Sequence, residues 1–184
     1  MESYNPRHSD TTITELMIPS YANFGGKIHG GILLSLMDKV AFAASTKHAG
    51  NYCVTVSVDG VEFLQPVEVG ELVSMMARVN YVGRTSLVVG IKVTAENVKS
   101  KTVKHTNTCY FTMVAKGDDG KPTLVPELIL ENDLDVKRFA DSLLRKRLKA
   151  YHKEQVNKSK EEFSTQKVIA LLEGERCQIA LKEE

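Results

Sequence analysis

Residues 28–50, IHGGILLSLMDKVAFAASTKHAG, form the stretch that decides the fold. Apolar side chains recur in it at helical spacing, which predicts one long helix with a wide apolar face: Ile32, Leu33, Leu36, Met37, Val40, Ala41 and Ala44. Gly50 comes directly after the last predicted turn and indicates where the helix ends. A helix this apolar is expected to be buried on most of its sides.

After this helix the spacing of apolar residues changes from a period of about 3.6 to a period of about 2. Four segments rich in Val, Thr, Tyr and Phe are predicted strands, and a shorter strand is predicted before the helix: residues 52–64, 72–82, 86–96, 103–114 and 11–18. One helix and a meander of long strands must bury the helix against a single antiparallel sheet. Because one helix covers only one face of that sheet, the uncovered face or edge predicts an oligomer.

The composition narrows the class of protein. The 184 residues carry 24 Lys and Arg against 23 Asp and Glu, and contain no Trp and only 7% aromatic residues. Balanced charge and few aromatic rings argue against nucleic-acid binding. The three cysteines, Cys53, Cys109 and Cys177, show no CxxC spacing, which is typical of free thiols in a reducing compartment. Neither a disulfide framework nor a metal site is expected.

The chain also lacks the signals that direct a protein into or across a membrane. No apolar run approaches the ~20 residues of a transmembrane helix. The polar start, MESYNPRHSDTT, lacks the apolar stretch of a signal peptide. We therefore expect a cytoplasmic protein with neither a membrane nor a nucleic acid as partner.

Charge divides unevenly between the body and the tail. Residues 135–184 carry 12 basic and 9 acidic residues, whereas residues 1–134 carry 12 and 14. Residues 135–162 predict an amphipathic helix, and residues 164–172 a further helical piece that Gly174 ends. The domain organisation predicted is a flexible start at residues 1–10, a folded body at 11–130 and a charged helical extension at 131–184.

Two features of the predicted helix can carry chemistry. Asp38 is a carboxylate on an otherwise apolar helix, where it is costly unless paired, exposed or functional. It either points to solvent beside Lys39 or acts as a general base or nucleophile. At the helix start, Gly30 and Gly31 leave backbone N–H groups uncovered, which can hold an oxyanion. The same glycines can also serve only to make a tight turn.

Two further segments have a plain and a functional interpretation. Asn23 lies in a turn, where asparagine is common because its side chain bonds its own backbone. The sequence Gly83-Arg84-Thr85-Ser86 joins two predicted strands, and its arginine and hydroxyls can either bind phosphate or form an ordinary hairpin. Cys53 and Cys109 have apolar neighbours and indicate inert core thiols. No HExxH, GxGxxG, Walker, GxSxG or zinc pattern is present.

Taken in order, these motifs form a recognisable set. They are NFGGKIHGG (23–31), LMD (36–38), KHAG (47–50), VTVSVDGVEFLQPV (54–67), VGE (69–71), GRTS (83–86) and CYFTMVA (109–115). The set resembles the hotdog-fold acyl-CoA thioesterases, in the branch with the bacterial broad-range and brain-type acyl-CoA hydrolases. The resemblance covers about residues 12–126, and both element order and motif spacing agree.

The resemblance implies an α+β hotdog fold for residues 11–130, in which a long antiparallel sheet wraps around one central helix. In this family two subunits pair edge to edge and the active sites lie at the dimer interface. Dimers commonly assemble into hexamers, as trimers of dimers. We therefore expect a homo-oligomer that is a dimer at minimum and a hexamer by analogy.

The resemblance also implies roles for individual residues. Asp38 is expected to act as base or nucleophile, Asn23 of the other subunit to position water or substrate, and the N–H groups of Gly30 and Gly31 to polarise the thioester carbonyl. The expected contacts to coenzyme A are His29, Thr55, Val56, Ser57, Gly83, Arg84, Thr85 and Ser86, with Arg84 on phosphate. Hydrolysis of acyl-CoA in fatty acid metabolism is the implied activity. One carboxylate and a helix N-terminus suffice for it without a cofactor.

Two other functions remain as alternatives. A non-catalytic hotdog module would bind acyl-CoA as a sensor, but it has no need for both Asn23 and Asp38. A hotdog dehydratase usually pairs its aspartate with a histidine five residues on, where this chain has Ala43. The tail beyond residue 130 lies outside the resemblance. It can lengthen the oligomer interface, cover the coenzyme A entrance, bind another protein or pack on its own subunit.

Overall fold

The structure is a computed structural model, and it describes residues 2–161 and 164–181. Its strands and helices are, in chain order, β1 Ser3–Tyr4, a 3-10 helix Pro6–Ser9, β2 Thr11–Leu16, a 3-10 helix Pro19–Tyr21, α1 Gly30–Ala49, β3 Tyr52–Asp59, β4 Leu72–Val82, β5 Ser86–Asn97, β6 Thr102–Lys116, β7 Glu127–Leu128, α2 Asp133–Glu161 and α3 Thr165–Leu171. The chain divides into two compact units, Met1–Leu143 and Leu144–Glu184.

The first unit is a curled five-stranded sheet around α1. Strand order is β2-β4-β5-β6-β3, and every neighbouring pair is antiparallel. Helix α1 packs against the strands of the inner face, so the predicted α+β hotdog fold is confirmed. No helix among the residues that the structure describes is long and apolar enough to cross a bilayer.

The alternation of side chains explains why the sheet closes on the helix. Along β4, Val73, Met75, Ala77 and Val79 are buried, and the residues between them face outward. Met37 and Val40 of α1 are fully buried against this face. Burying a Met or Val side chain stabilises the fold by roughly 1.5–3 kcal/mol. The helix ends as predicted, because Gly50 adopts a left-handed φ of 66° and its N–H bonds to Thr46 O.

Strand β3 is shorter than the sequence predicts, and it forms one edge of the sheet. It ends at Asp59 and not at residue 64, because Gly60 turns the chain with a φ of 69°. The loop that follows is held by β6. The Asn107 side-chain amide donates to Glu62 O at 2.7 Å, and the Leu64 N–H donates to Thr106 O at 3.0 Å. The apolar residues after Gly60 therefore form a fixed loop instead of a strand.

The two ends of the body also differ from the sequence expectation. Residues 3–9, expected to be flexible, contain β1, which pairs in parallel with β7, and a 3-10 helix whose Ser9 is buried. The first compact unit continues to Leu143 and not to residue 130. The start of α2 belongs to it, since the ring of Phe139 lies 4.8 Å from that of Tyr81. Burial of these apolar surfaces fixes both segments.

Helices α2 and α3 occur where the tail was predicted to be helical. Gly174 follows α3 with a φ of 88°. Residue 162, the predicted end of the first tail helix, and residue 1 of the predicted flexible start lie outside the described residues.

Candidate active site

The carboxylate of Asp38 is exposed at the edge of the sheet and is held by one hydroxyl. Thr55 of β3 donates from Oγ1 to Asp38 Oδ1 at 2.6 Å, and the same hydroxyl lies 3.4 Å from Met113 Sδ. A β-bulge between Thr55 and Ser57 shifts the register of β3 against β6 at this point. The Asp38 carboxylate is therefore exposed, which agrees with one of the two interpretations of the sequence. Its hydrogen bond with Thr55 also fixes its orientation.

An open cleft of about 320 Å³ adjoins this pair. Its lining is Asp38, Lys39, Phe42, Tyr52, Cys53, Val54 and Thr55. The rings of Phe42 and Tyr52 lie 5.8 Å apart, and 61% of Tyr52 is exposed. Exposed rings along an unpaired strand edge are typical of a surface that binds another polypeptide or an apolar ligand.

The start of α1 offers one open N–H group where two were predicted. His29 caps the helix, and its ring Nδ1 accepts the N–H of Gly31 at 3.0 Å. Within the described residues the N–H of Gly30 has no acceptor. The helix cap uses the Gly31 donor in this structure, so of the two predicted donors only the Gly30 N–H is open, and their joint role stays a prediction.

The ring of Phe63 covers this helix start. A Cβ placed on Gly30 would lie 3.3 Å from the Phe63 ring, so the glycine allows the ring to approach. Phe63 belongs to the loop that Asn107 and Thr106 fix. Sequence reasoning assigned no role to Phe63, although the motif that contains it was part of the resemblance.

Asn23 forms the turn that the plain interpretation predicted and keeps one functional group open. Its Oδ1 accepts the N–H groups of Gly25 at 2.9 Å and of Lys27 at 3.2 Å. Its Nδ2 has no acceptor among the residues the structure describes. The turn lies against the helix start, because the His29 N–H donates to Tyr21 O at 2.8 Å. The backbone of the Asn23 turn is therefore held close to the helix start that carries Gly30.

Asp38 and Gly30 of one chain lie far apart along α1. Eight residues of α-helix separate them, a rise of about 12 Å. The free N–H groups of a first helical turn point outward past the N-terminus, which adds to this distance. A carbonyl must lie within about 3 Å of its donor and within roughly 3.5 Å of the attacking atom. One chain therefore holds these two groups apart, and we call each group with its neighbours a half-site.

The predicted coenzyme A contacts mostly fall at one end of the sheet. Ser86 of β5 and Val54 of β3 both lie opposite Val114 of β6, about 10 Å apart across that strand. This brings the turn Gly83–Arg84–Thr85–Ser86 and the segment Thr55–Val56–Ser57 to the Asp38 half-site. His29 does not join them, because it lies at the other half-site.

The turn at residues 83–86 has a specific geometry and a cation. The Gly83 N–H donates to Ser86 O at 2.7 Å, and a Cβ on Gly83 would lie 2.9 Å from Ser86 Oγ. A side chain at position 83 would therefore have to displace the Ser86 hydroxyl. Arg84 is exposed, and the described residues provide it with no ion-pair partner. Its guanidinium can receive an anion.

The thiols of Cys53 and Cys109 are buried in the core. Burial raises the pKa of the Cys53 thiol, and it raises the pKa of Cys109 to about 12. Cys109 Sγ lies 3.3 Å from Met37 Sδ inside the core. Within the described ranges, no group of three or more His, Cys, Asp or Glu side chains could hold a metal ion.

Comparison with known proteins supports the class that the sequence motifs resemble. The Thioesterase superfamily matches residues 25–101. The chain is 42% identical over 159 residues to Protein VdlD of Helicobacter pylori, covering 81% of this chain and 91% of that one. A solved apo-hexameric acyl-CoA thioesterase is 30% identical with a TM-score of 0.79, covering 83% of this chain and 97% of that chain. The fold and site define a hotdog thioesterase.

A third relative bears on individual residues. The acyl-CoA hydrolase of Staphylococcus aureus, solved with butyryl coenzyme A and coenzyme A, is 26% identical with a TM-score of 0.77, covering 86% of this chain and 97% of that chain. Its solved variants replace an aspartate, an asparagine and a threonine by alanine, at the same intervals that separate Asp38, Asn23 and Thr55. The chain belongs to the acyl-CoA thioester hydrolases of the Thioesterase superfamily.

Proposed function

We propose that this chain hydrolyses acyl-CoA thioesters to a free acid and coenzyme A at a site shared by two copies. The observation that carries the proposal is the hydrogen bond from Thr55 to Asp38 beside an open cleft at the sheet edge. The names of the related enzymes support the substrate class. The intact Asp38 and Asn23 favour a hydrolase over a sensor.

In the proposed reaction Asp38 removes a proton from water as the water oxygen bonds to the thioester carbon. The carbonyl oxygen becomes an oxyanion and accepts a hydrogen bond from the Gly30 N–H. Collapse of the tetrahedral intermediate breaks the C–S bond, and the leaving sulfur takes the proton from Asp38. Direct attack by the carboxylate, followed by hydrolysis of the anhydride, uses the same groups. Neither route needs a metal or prosthetic group.

The second copy supplies the other half-site. Because Gly30 and Asp38 of one chain lie about 12 Å apart along α1, we propose that the donors of Gly30 and Asn23 come from the partner. We propose that two β3 edges pair and extend the sheet, which covers the exposed Phe42 and Tyr52. Isologous pairing gives each dimer two complete sites. The hexameric relative supports a trimer of such dimers.

Coenzyme A is proposed to lie along the end of the sheet that holds the Asp38 half-site. Arg84 binds phosphate, and Thr55, Val56, Ser57, Gly83, Thr85 and Ser86 contact the remainder through side chains and backbone. His29 is proposed to reach the ligand from the partner's helix start. Free thiols favour a reducing cytoplasm, and the proposed acyl-CoA substrate favours a place in fatty acid metabolism.

A thiol-release assay across acyl chain lengths tests this function. The exposed Cys177 is first replaced by Ser so that it does not react with the thiol reagent. Wild type should release coenzyme A, and Asp38→Ala should lose at least about 100-fold in kcat. Asp118→Ala, an exposed turn carboxylate, is the matched control and should keep full turnover. Full turnover by Asp38→Ala, or saturable binding without thiol release by wild type, would contradict the proposal.

A further inference from the structure

The second half of α2 is strongly basic, although the whole chain carries a net charge of only +1. Residues 144–160, LRKRLKAYHKEQVNKSK, contain seven Lys and Arg and one acidic residue, Glu154. They begin the second compact unit and are helical throughout. A net charge of +6 on seventeen residues makes this segment, the basic helix, the strongest local charge in the chain.

An apolar stripe runs along the basic helix. Leu144, Leu148 and Tyr151 recur at i, i+4 and i+7, so they lie on one face. Their exposed fractions are 54%, 57% and 63%. Three large apolar side chains on one helical face, all more than half exposed, form a surface suited to a partner.

Basic residues border this stripe on both sides. At 100° per residue, Arg147 and Lys158 lie along one border and Arg145 and His152 along the other. An ion pair of 2.7 Å joins Lys158 to Glu154, the single acid of the segment. Long Lys and Arg stems can lie beside an apolar surface while their charged ends reach outward.

We propose, in place of the sequence expectation that no membrane is a partner, that the basic helix binds the surface of an anionic membrane and lies in its plane. Leu144 and Leu148 would enter the boundary between headgroups and acyl chains, with Tyr151 at headgroup level. The bordering Lys and Arg side chains would meet lipid phosphates. An anionic membrane matches this surface, because the segment combines an exposed apolar stripe with a net charge of +6.

A second copy of the helix fits the stripe poorly. Coiled coils need apolar positions sustained over three to four heptads, whereas this stripe spans about two turns before Gln155 and Lys158 replace it. Two copies would also bring Arg145 and Arg147 of each chain close to like charges, which repel. The proposal is independent of the hydrolytic mechanism, because it uses none of the active-site residues.

Vesicle sedimentation of the full chain tests the proposal. Vesicles of phosphatidylcholine mixed with phosphatidylglycerol are compared with vesicles of phosphatidylcholine alone, at low and high salt. Wild type should bind the mixed vesicles at least about tenfold more tightly, and high salt should remove most of that preference. Arg145→Glu/Arg147→Glu and Leu144→Asn/Leu148→Asn should each weaken binding about tenfold or more. Lys99→Glu/Lys121→Glu, the same charge change on exposed loops of the first unit, should bind as wild type does.

Circular dichroism and light scattering of each variant complete the test. Unchanged helix content and mass with lost vesicle binding would support the proposal. Equal binding to both vesicle types, no binding to either, or wild-type binding by both double variants would overturn it. A lower mass of the Leu144→Asn/Leu148→Asn oligomer with unchanged vesicle binding would also overturn it, and would assign the stripe to a contact between copies.

Discussion

The Thr55 hydroxyl lies 2.6 Å from the Asp38 carboxylate and ties the edge strand β3 to the central helix α1. The hydrogen bond occupies Oδ1, and no described residue hydrogen-bonds to Oδ2. One carboxylate oxygen is therefore held by the fold, while the other is available to a water molecule or a thioester. We therefore propose that Thr55 orients the carboxylate in addition to its proposed contact with substrate.

Replacing Thr55 by Val should lower kcat by about 10- to 100-fold, because the carboxylate loses the donor that fixes its orientation. KM should change little, since the isosteric side chain keeps the shape of the cleft. Thr55→Ser is the matched control and should retain most of kcat. Steady-state thiol release measures both constants. Equal activity of the Val and Ser variants would show that the hydroxyl does not orient Asp38.

Replacing Gly30 by Ala should lower kcat at least about tenfold, because the new Cβ would lie 3.3 Å from the Phe63 ring beside the proposed oxyanion donor. Either the ring or the helix start must shift. The double variant Gly30→Ala/Phe63→Ala removes the contact between the new Cβ and the ring. It therefore tests whether that contact causes the loss of kcat. Recovery of kcat in the double variant is the expected result. A Gly30→Ala enzyme with wild-type kcat would contradict the placement of the donor.

Replacing Arg84 by Ala should raise KM for acyl-CoA about tenfold and leave kcat nearly unchanged, because the guanidinium is proposed to bind phosphate away from the reacting carbonyl. The thioester of N-acetylcysteamine has no phosphate, so its hydrolysis should not respond to the substitution. Lys121→Ala, another exposed cation, serves as control. An equal loss with both substrates would show that Arg84 acts on the fold and not on phosphate.

Stability should fall in mild acid through His48. Burial lowers its pKa below the usual 6.5, although the hydrogen bond of Nε2 with Pro126 O partly opposes this. Its Nδ1 is buried without a hydrogen-bond partner in the described structure. Between pH 6.5 and the lowered pKa the unfolded chain takes up a proton that the folded chain does not. The unfolding free energy therefore decreases as pH falls, by at most about 1.4 kcal/mol per pH unit for one group.

Denaturant unfolding over this pH window measures the effect. His48→Gln, whose side-chain amide can still donate to Pro126 O, should flatten the decrease. His152→Gln in the exposed tail should leave it unchanged. A wild-type slope that survives in His48→Gln would assign the acid sensitivity to other groups.

The elements could be predicted from the sequence because their signals are local. The apolar period of α1, its stop at Gly50 and the alternation along β4 depend on neighbours a few residues apart. The end of β3 depends on contacts over a longer range. Residues after Gly60 retain a strand-like apolar pattern, and only the left-handed Gly60 and the contact with Asn107 turn them into a loop.

The candidate site could be predicted only in part, for a similar reason. The resemblance pointed to Asp38 and Asn23, which remain candidates, and it assigned Thr55 to coenzyme A without the contact to the carboxylate. That contact depends on how α1 crosses β3. That the His29 ring accepts the Gly31 N–H could not be predicted, because this contact depends on a side-chain orientation. Pairing of β1 with β7 likewise joins residues more than a hundred positions apart.

The central claim is that each active site combines Asp38 of one copy with Asn23 of its partner. Co-expression of Asp38→Ala with Asn23→Ala tests it, since each variant alone should be nearly inactive. Random pairing makes half of the dimers mixed, and each mixed dimer holds one intact site, so the account predicts about a quarter of wild-type thiol release. Each variant co-expressed with itself is the control. A mixture no more active than those controls would contradict a shared site.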